Sequence, residues 1–287
     1  MKSKVFFTRN ITPENVLALY RKVGVSLPGK VAVKVHSGEK GNQNFLRPEF
    51  WKPVMEQIDG TIVECNTAYE GMRNTTEKHK KLMELHGWSK MYNVDILDES
   101  KPDLRIPIKN GKVIKYNYVG GNIKKYQSLL VLSHFKGHPM GGYGGAIKQL
   151  SIGLASSYGK AYIHGAGDVN NKWTADHNRF LEAMADSAAS VVELYKDKIV
   201  YINVMKNLSV DCDCCAKAEN PCMKDIGILA SCDPVAVDKA CIDLVYKSND
   251  PGKNRMIERI ESLNGLLTID AAQMLGIGST DYELVEM

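Results

Sequence analysis

The chain has 287 residues, of which 44% are hydrophobic, and it carries 37 Lys and Arg against 33 Asp and Glu, a formal net charge of +4. This composition supplies enough apolar material for a sizeable core and excludes a largely disordered chain. The basic residues are interspersed with acidic ones, and the sequence has no run of roughly 18 apolar residues, so neither nucleic acid nor a membrane is predicted as a partner.

Short apolar runs alternate with helix-length amphipathic stretches through the first 65 residues. The runs predicted as strands are 5–8, 31–36 and 61–65, and the stretches predicted as helices are 13–22 and 48–58. This alternation is typical of βαβ units. We therefore predict an α/β fold with a largely parallel sheet flanked by helices.

The pattern changes near residues 104–118. Two short runs, 105–109 and 112–116, flank the pair Asn110-Gly111, which favours a tight two-residue hairpin turn. We predict an antiparallel hairpin inserted beside the parallel sheet.

The rest of the chain returns to the α/β pattern. Strands are predicted at 128–133, 161–164, 198–205 and 226–230, and helices at 175–195, at 235–245 and twice after residue 254. No Pro/Gly/Ser linker marks a boundary. One α/β unit is predicted for residues 1–287, with two intimate lobes of about 1–125 and 126–287 as the alternative.

The unusual polar residues follow predicted strands. They lie in the segments 36–44, 65–66, 134–145 and 211–222. Loops at the carboxyl ends of parallel strands share one edge of a sheet, where ligands bind. These segments are expected to form one site.

Four of the seven cysteines lie in one polar loop: Cys212, Cys214, Cys215 and Cys222. Such clustering differs from a secreted disulfide framework, and no signal peptide is evident, so a cytoplasmic protein with metal or redox chemistry is predicted. Soft thiolates select zinc, copper(I) or iron-sulfur clusters. The spacing Cys-x-Cys-Cys-x6-Cys matches neither a zinc knuckle nor a ferredoxin motif, so it leaves the metal open. A regulatory dithiol or simple packing is the alternative interpretation.

A glycine-rich segment, 133–148, contains two histidines and two lysines that can act in catalysis or ligand binding. Its free backbone amides can receive a phosphate or a carboxylate, and a solvated loop is the alternative. We predict His134, His138 and Lys148 as catalytic residues. The residues predicted to bind a cofactor or small anionic ligand are Lys34, His36, Glu39, Lys136, Gly142, Gly144 and Gly145.

Four segments together resemble the domain of unknown function 362 family, which is described as uncharacterised iron-sulfur centre proteins. They are VAVKVHSGEKGN, SHFKGHPMGGYGGAIK, the Cys-Asp-Cys at 212–214 and DIGILASCDPVAVDKAC. The resemblance implies an α/β fold and a cluster-binding or redox role, with Cys212 and Cys214 as the core ligands. Many relatives also carry an inserted ferredoxin-like pair of four-cysteine motifs, which this sequence lacks.

Two functions follow as hypotheses. The first is a metal-centre protein, with an iron-sulfur cluster such as 4Fe-4S, that acts as an oxidoreductase or other cluster-dependent enzyme on a small anionic substrate and exchanges electrons with a partner protein. The second is a non-redox α/β binding protein or hydrolase-like enzyme in which the cysteine loop holds a structural zinc. Metal identity distinguishes them.

Overall fold

The structure is a computed structural model that describes residues 2–287. In this part of the chain an eight-stranded sheet is accompanied by two small antiparallel hairpins. The strands are β1 Ser3–Thr8, β2 Val31–Lys34, β3 Thr61–Glu64, β4 Val94–Ile96, β5 Leu104–Pro107, β6 Tyr116–Val119, β7 Ser128–His134, β8 Lys136–His138, β9 Gly142–Gly144, β10 Ile199–Met205, β11 Gly227–Ser231 and β12 Tyr282–Glu286.

The large sheet has the strand order β12-β1-β11-β10-β7-β2-β3-β4. All neighbouring pairs are parallel except those of β11, which is antiparallel to both β1 and β10. The predicted α/β fold with a largely parallel sheet is confirmed. The sheet contains strands from both sides of residue 125, and the division into two lobes stays a prediction.

Helices cover the sheet. They are α1 Pro13–Val23, α2 Lys52–Ile58, α3 Thr76–Leu85, α4 Trp88–Met91, α5 Ala146–Lys148, α6 Ser157–His164, α7 His177–Tyr195, α8 Pro234–Lys247, α9 Lys253–Ser262 and α10 Leu266–Met274, with 3-10 turns at Pro48–Trp51, Gly121–Lys125 and Val169–Asn171 and a π-helical turn at Gln149–Gly153. None of the helices in residues 2–287 has both the length and the apolar composition needed to cross a bilayer.

Strand β7 shows why the sheet is buried on both faces. Leu129 and Val131 belong to the core cluster that includes residues of α7 and α8, whereas Leu130 and Leu132 belong to the cluster that includes residues of α1 and α2. Successive side chains of a strand point to opposite faces, so an uninterrupted apolar run suits a strand with helices on both sides.

Two predicted helix starts are confirmed with their caps. The hydroxyl of Thr12 accepts the N–H of Asn15 at 3.2 Å before α1. The carboxylate of Asp233 accepts the N–H groups of Val235 and Ala236, both at 2.9 Å, before α8. These oxygens satisfy amide groups that have no partner within the first helical turn.

The predicted hairpin near residues 104–118 is present, because β5 and β6 pair in antiparallel fashion. The prediction of a tight two-residue turn at Asn110-Gly111 was wrong. Pro107 is opposite Tyr116, so residues 108–115 form a wider connection. The Asp186 carboxylate of α7 accepts three backbone N–H groups of residues 112–114, at 2.7–2.9 Å, and these bonds favour the wide loop over a two-residue turn.

One predicted strand was wrong, and four strands were missed: β4, β8, β9 and β12. Residues 161–164 lie in α6, whose first turn is capped by the Ser156 hydroxyl accepting the N–H of Gly159 at 3.0 Å. A four-residue apolar run does not distinguish a strand from part of a helix. Strand β12, which pairs parallel to β1 at the sheet edge, was not predicted.

Candidate metal centre and cationic cavity

The segments that follow the parallel strands meet at one edge of the sheet. The loop after β2 is bonded directly to the cysteine loop after β10: the N–H of Glu39 donates to the carbonyl of Asp213 at 2.8 Å, and the Asn42 amide donates to the carbonyl of Cys215 at 2.8 Å. Two of the segments predicted to lie together, 36–44 and 211–222, are thus in direct contact.

Asp213 anchors the Cys-Asp-Cys turn. Its carboxylate contacts His134 Nδ1 at 3.0 Å and Lys136 Nζ at 2.8 Å, and all three side chains are buried. Burial alone would raise the pKa of Asp213, but His134 and Lys136 hold it well below its usual range. His134 Nε2 lies against the carbonyl of Lys206 at 2.5 Å. His134 and Lys136 therefore position the cysteine turn, and neither lines the cavity described below.

Three potential ligand atoms converge beside this turn. One atom each of His138, Cys212 and Cys214 lies within 4.8 Å of the others, in the part of the chain that the structure describes. Metal–sulfur and metal–nitrogen bonds of about 2.0–2.3 Å place tetrahedral ligand atoms roughly 3.5–4 Å apart, so this spacing suits a single ion. These residues can hold a metal, with one coordination position left for another ligand.

The sulfur of Cys212 is surrounded by hydrogen-bond donors. Lys148 Nζ lies 3.4 Å from it, and the N–H of Cys214 also donates to it at 3.4 Å. Burial would raise the pKa of Cys212, but the Cys214 thiol, Lys148 and Lys136 hold it well below its usual range. A thiolate is the form that binds metals.

His138 is held in one orientation by backbone amides. Its Nδ1 accepts the N–H of Met140 at 3.1 Å and that of Gly141 at 2.8 Å. A neutral ring with this acceptor carries its proton on Nε2. Burial lowers the pKa of His138. Binding of a metal through Nε2 would require the neutral ring to move its proton to Nδ1, which would give up the bonds from these two N–H groups.

The other predicted cysteine ligands lie outside this three-atom group. Cys215 is next to Cys214, whose thiol lowers the pKa of Cys215. Cys222 Sγ donates to the carbonyl of Leu208 at 3.3 Å. Cys215 and Cys222 are therefore not part of the three-atom group, which suits a single thiophilic ion.

A partly open cavity of about 110 Å³ adjoins the centre, and Cys214 and His138 are part of its wall. Its other polar lining residues include Lys34, His36, Glu64, Arg73, Lys148, Lys160 and His164. Four of these side chains are lysine or arginine and one is an acid, so the cavity wall has more basic than acidic side chains.

Two of these cations are neutralised within the protein. Lys34 Nζ lies 2.6 Å from Glu64, and Arg73 Nε lies 3.1 Å from Glu39. Burial lowers the pKa of Lys34 to about 8, against the attraction of Glu64. Burial, followed by the charge of Arg73, lowers the pKa of His36 to about 4, so this imidazole is neutral at pH 7.

The glycine-rich turn binds an anion that belongs to the chain itself. The Asp238 carboxylate accepts the N–H groups of Ala146 and Ile147 at 2.7 and 2.9 Å. A Cβ on Gly145 would lie 2.3 Å from Asp238, so only glycine permits this approach. Burial raises the pKa of Asp238 to about 6. The three predicted anion-binding glycines, at 142, 144 and 145, do not line the cavity.

Residues 31–243 match the family model described as Domain of unknown function (DUF362). The chain belongs to the DUF362 family. The matched range includes every residue of the candidate metal centre and the lining of the cavity. The sequence matches no curated protein.

Two solved structures resemble this DUF362 chain. The lactate racemase apoprotein from Thermoanaerobacterium thermosaccharolyticum is 12% identical, with a TM-score of 0.42 over 69% of this chain and 50% of that one. A structural-genomics protein from Thermotoga maritima is 9% identical, with a TM-score of 0.47 over 91% of this chain and 58% of that one. The chain thus spans roughly half the length of these structures, and at such low identity neither likeness bears on function.

The sequence did not point to Lys160 and His164, which line the cavity of this DUF362 chain. Both lie on α6, four residues apart, and side chains with this spacing share one face of a helix. Because a strand was predicted at 161–164, these two side chains were not expected to share a helix face. A helical interpretation of this segment would have placed both side chains on one face.

Proposed function

We propose that this DUF362 chain is a metal-dependent enzyme in which Cys212 and Cys214, with His138 as the third ligand, hold one thiophilic ion. The observation that carries the proposal is that Cys214 and His138 lie in the wall of a cavity that is also lined by Lys148 and Lys160. Structural zinc sites are closed by four protein ligands, whereas catalytic sites keep one position open toward the substrate. A small anion in the cavity is the proposed substrate.

The ion would supply one function when bound: with an open position it polarises an oxygen of the substrate. The chain's own residues supply the rest. Lys148 places a positive charge beside Cys212, since their atoms are 3.4 Å apart. Lys148 and Lys160 are themselves buried, which strengthens their charge interactions because little water surrounds them.

The metal analysis that tests this proposal also separates it from the iron-sulfur and structural-zinc alternatives. In anaerobically purified protein we expect roughly one zinc or iron per chain and no acid-labile sulfide. Cys222→Ser should retain the metal, because Cys222 Sγ bonds to the carbonyl of Leu208. The matched control is Cys232→Ser, at an exposed cysteine.

Other outcomes have distinct meanings. If the protein contained acid-labile sulfide and absorbed broadly in the visible range, and Cys222→Ser lost both properties, the bound group would be an iron-sulfur cluster and not a single ion. An electron-transfer partner would then be expected. Protein without metal after anaerobic purification would overturn the proposal. A colourless protein that needs zinc only for folding would support the structural alternative.

The pH dependence of metal binding provides a second prediction. A thiol must lose its proton to bind a metal, so binding weakens as pH falls through the pKa of Cys212. Burial raises that pKa, and the Cys214 thiol and Lys148 lower it. Lys148→Met removes one lowering charge, so the midpoint of Co²⁺ binding should move to higher pH by about one unit. Absorption of the cobalt-thiolate complex measures the midpoint, and an unchanged midpoint would contradict the assignment.

A further inference from the structure

The cavity contains a buried lysine whose charge has no partner. Lys160 is 7% exposed and lines the cavity. Its Nζ donates to the backbone carbonyl of Ala155 at 2.5 Å. Among residues 2–287, no carboxylate oxygen lies within the 4.0 Å that defines an ion pair from this atom.

The other three cations of the cavity wall differ from Lys160 in this respect. Glu64 pairs with Lys34, Glu39 pairs with Arg73, and the sulfur of Cys212 contacts Lys148. A buried ammonium without a counter-charge is costly. Burial lowers the pKa of Lys160, against the attraction of Cys65 and of Asp98 and Glu64, whose carboxylates lie beyond ion-pair distance.

We propose that Lys160 binds the carboxylate of a short-chain monocarboxylic acid, which is the small anionic substrate of the site. This inference deepens the proposed function. Binding of the acid by Lys160 does not depend on that proposal, whereas its role as the substrate does. Within the described residues, Lys160 is the one cation of the wall without an ion-pair or thiol partner in direct contact, so a single carboxylate in the cavity could pair with it. Lys160 is thus assigned as a substrate-binding residue that no sequence motif indicated.

The rest of the cavity favours a carboxylate with a small apolar body. Ile152 and Met140 line it, together with Pro139 and Ala68. The amides of the glycine-rich turn, which would suit a phosphate, are already bonded to Asp238. An apolar cavity of about 150 Å³ holds benzene, so this smaller one admits roughly four to six non-hydrogen atoms.

The test measures binding of propionate to the protein as purified, with its metal, by calorimetry and by thermal shift. Propionamide serves as the neutral isostere, hexanoate as the chain that is too long, and inorganic phosphate as the other small anion. We expect propionate to bind and the other three compounds to bind at least about tenfold more weakly. Tighter binding of phosphate would overturn the carboxylate assignment.

The variant Lys160→Met keeps the length of the side chain and removes its charge. We expect its affinity for propionate to fall at least about tenfold, because an ion-paired hydrogen bond is lost. The melting temperature without ligand should not fall, because an unpaired buried charge has been removed. The control is Lys124→Met, at an exposed lysine outside the cavity lining.

Metal content is measured for every variant, so that the two proposals fail separately. Metal-loaded protein that binds no monocarboxylate overturns this inference and leaves the metal site standing. Protein that binds propionate through Lys160 but contains no metal overturns the proposed metal site and leaves this inference standing. A Lys160→Met protein that melts at a lower temperature and still binds propionate assigns Lys160 to the structure.

Discussion

Cys212→Ser and Cys214→Ser should each lose the metal, with affinity reduced roughly a hundredfold or more. A serine hydroxyl is a poor ligand for a thiophilic ion, and each sulfur lies within 4.8 Å of the other ligand atoms. Even a change in residues that support metal ligands costs about 10–100-fold, so loss of a direct ligand should cost at least as much. Chelator competition with Zn²⁺ measures the affinity.

His138→Ala serves as the graded comparison in the same experiment. We expect a smaller loss than for either cysteine, because ligation through Nε2 requires the proton to move to Nδ1, which would give up the bonds from two backbone N–H groups. Cys215→Ser should bind Zn²⁺ as the unmodified chain does. If Cys215→Ser loses as much affinity as Cys212→Ser, the assignment of the three ligands is wrong.

Glu64→Gln should destabilise the fold by about 3–5 kcal/mol, since it leaves the buried charge of Lys34 without its partner. The Glu64 carboxylate lies 2.6 Å from Lys34 Nζ and also accepts the N–H and the hydroxyl of Ser37, at 2.9 and 3.0 Å. A loss of that size corresponds to a fall in melting temperature of roughly 10 °C. Calorimetry or circular dichroism measures it.

Two control variants test whether the unpaired buried charge causes the loss of stability in Glu64→Gln. Adding Lys34→Met to Glu64→Gln should restore much of the stability, because the unpaired cation is then gone. Glu99→Gln breaks an exposed ion pair with Lys80 and should cost less than about 1 kcal/mol. Equal effects of Glu64→Gln and Glu99→Gln would show that burial of the pair does not determine its contribution.

The same pair predicts how stability depends on pH. Burial would raise the pKa of Glu64, but Lys34 holds it well below its usual range. A carboxyl whose pKa is lower in the folded state contributes stability above its unfolded pKa and loses it as pH falls through the folded value. The difference in stability between the unmodified chain and Glu64→Gln should therefore shrink in acid.

Local chemistry was enough to predict much of the fold. The apolar runs at 31–36, 128–133 and 198–205 became strands because uninterrupted apolar residues suit a sheet covered on both faces. Thr12 and Asp233 cap helices through bonds within a few residues. The prediction of a tight turn at Asn110-Gly111 was wrong because Asp186, distant in sequence, accepts hydrogen bonds from the backbone of residues 112–114.

The sequence by itself determined the α/β fold, the loop that carries the thiols and the placement of polar segments after strands, since these depend on residue order over short distances. Only the tertiary structure decided which atoms meet: Cys212 and Cys214 with His138, Asp238 on the glycine-rich turn, and Lys160 in the cavity without a partner. The physical reason is that hydrogen bonds and charge pairs act across space, so the partner of a buried group is fixed by how the loops pack.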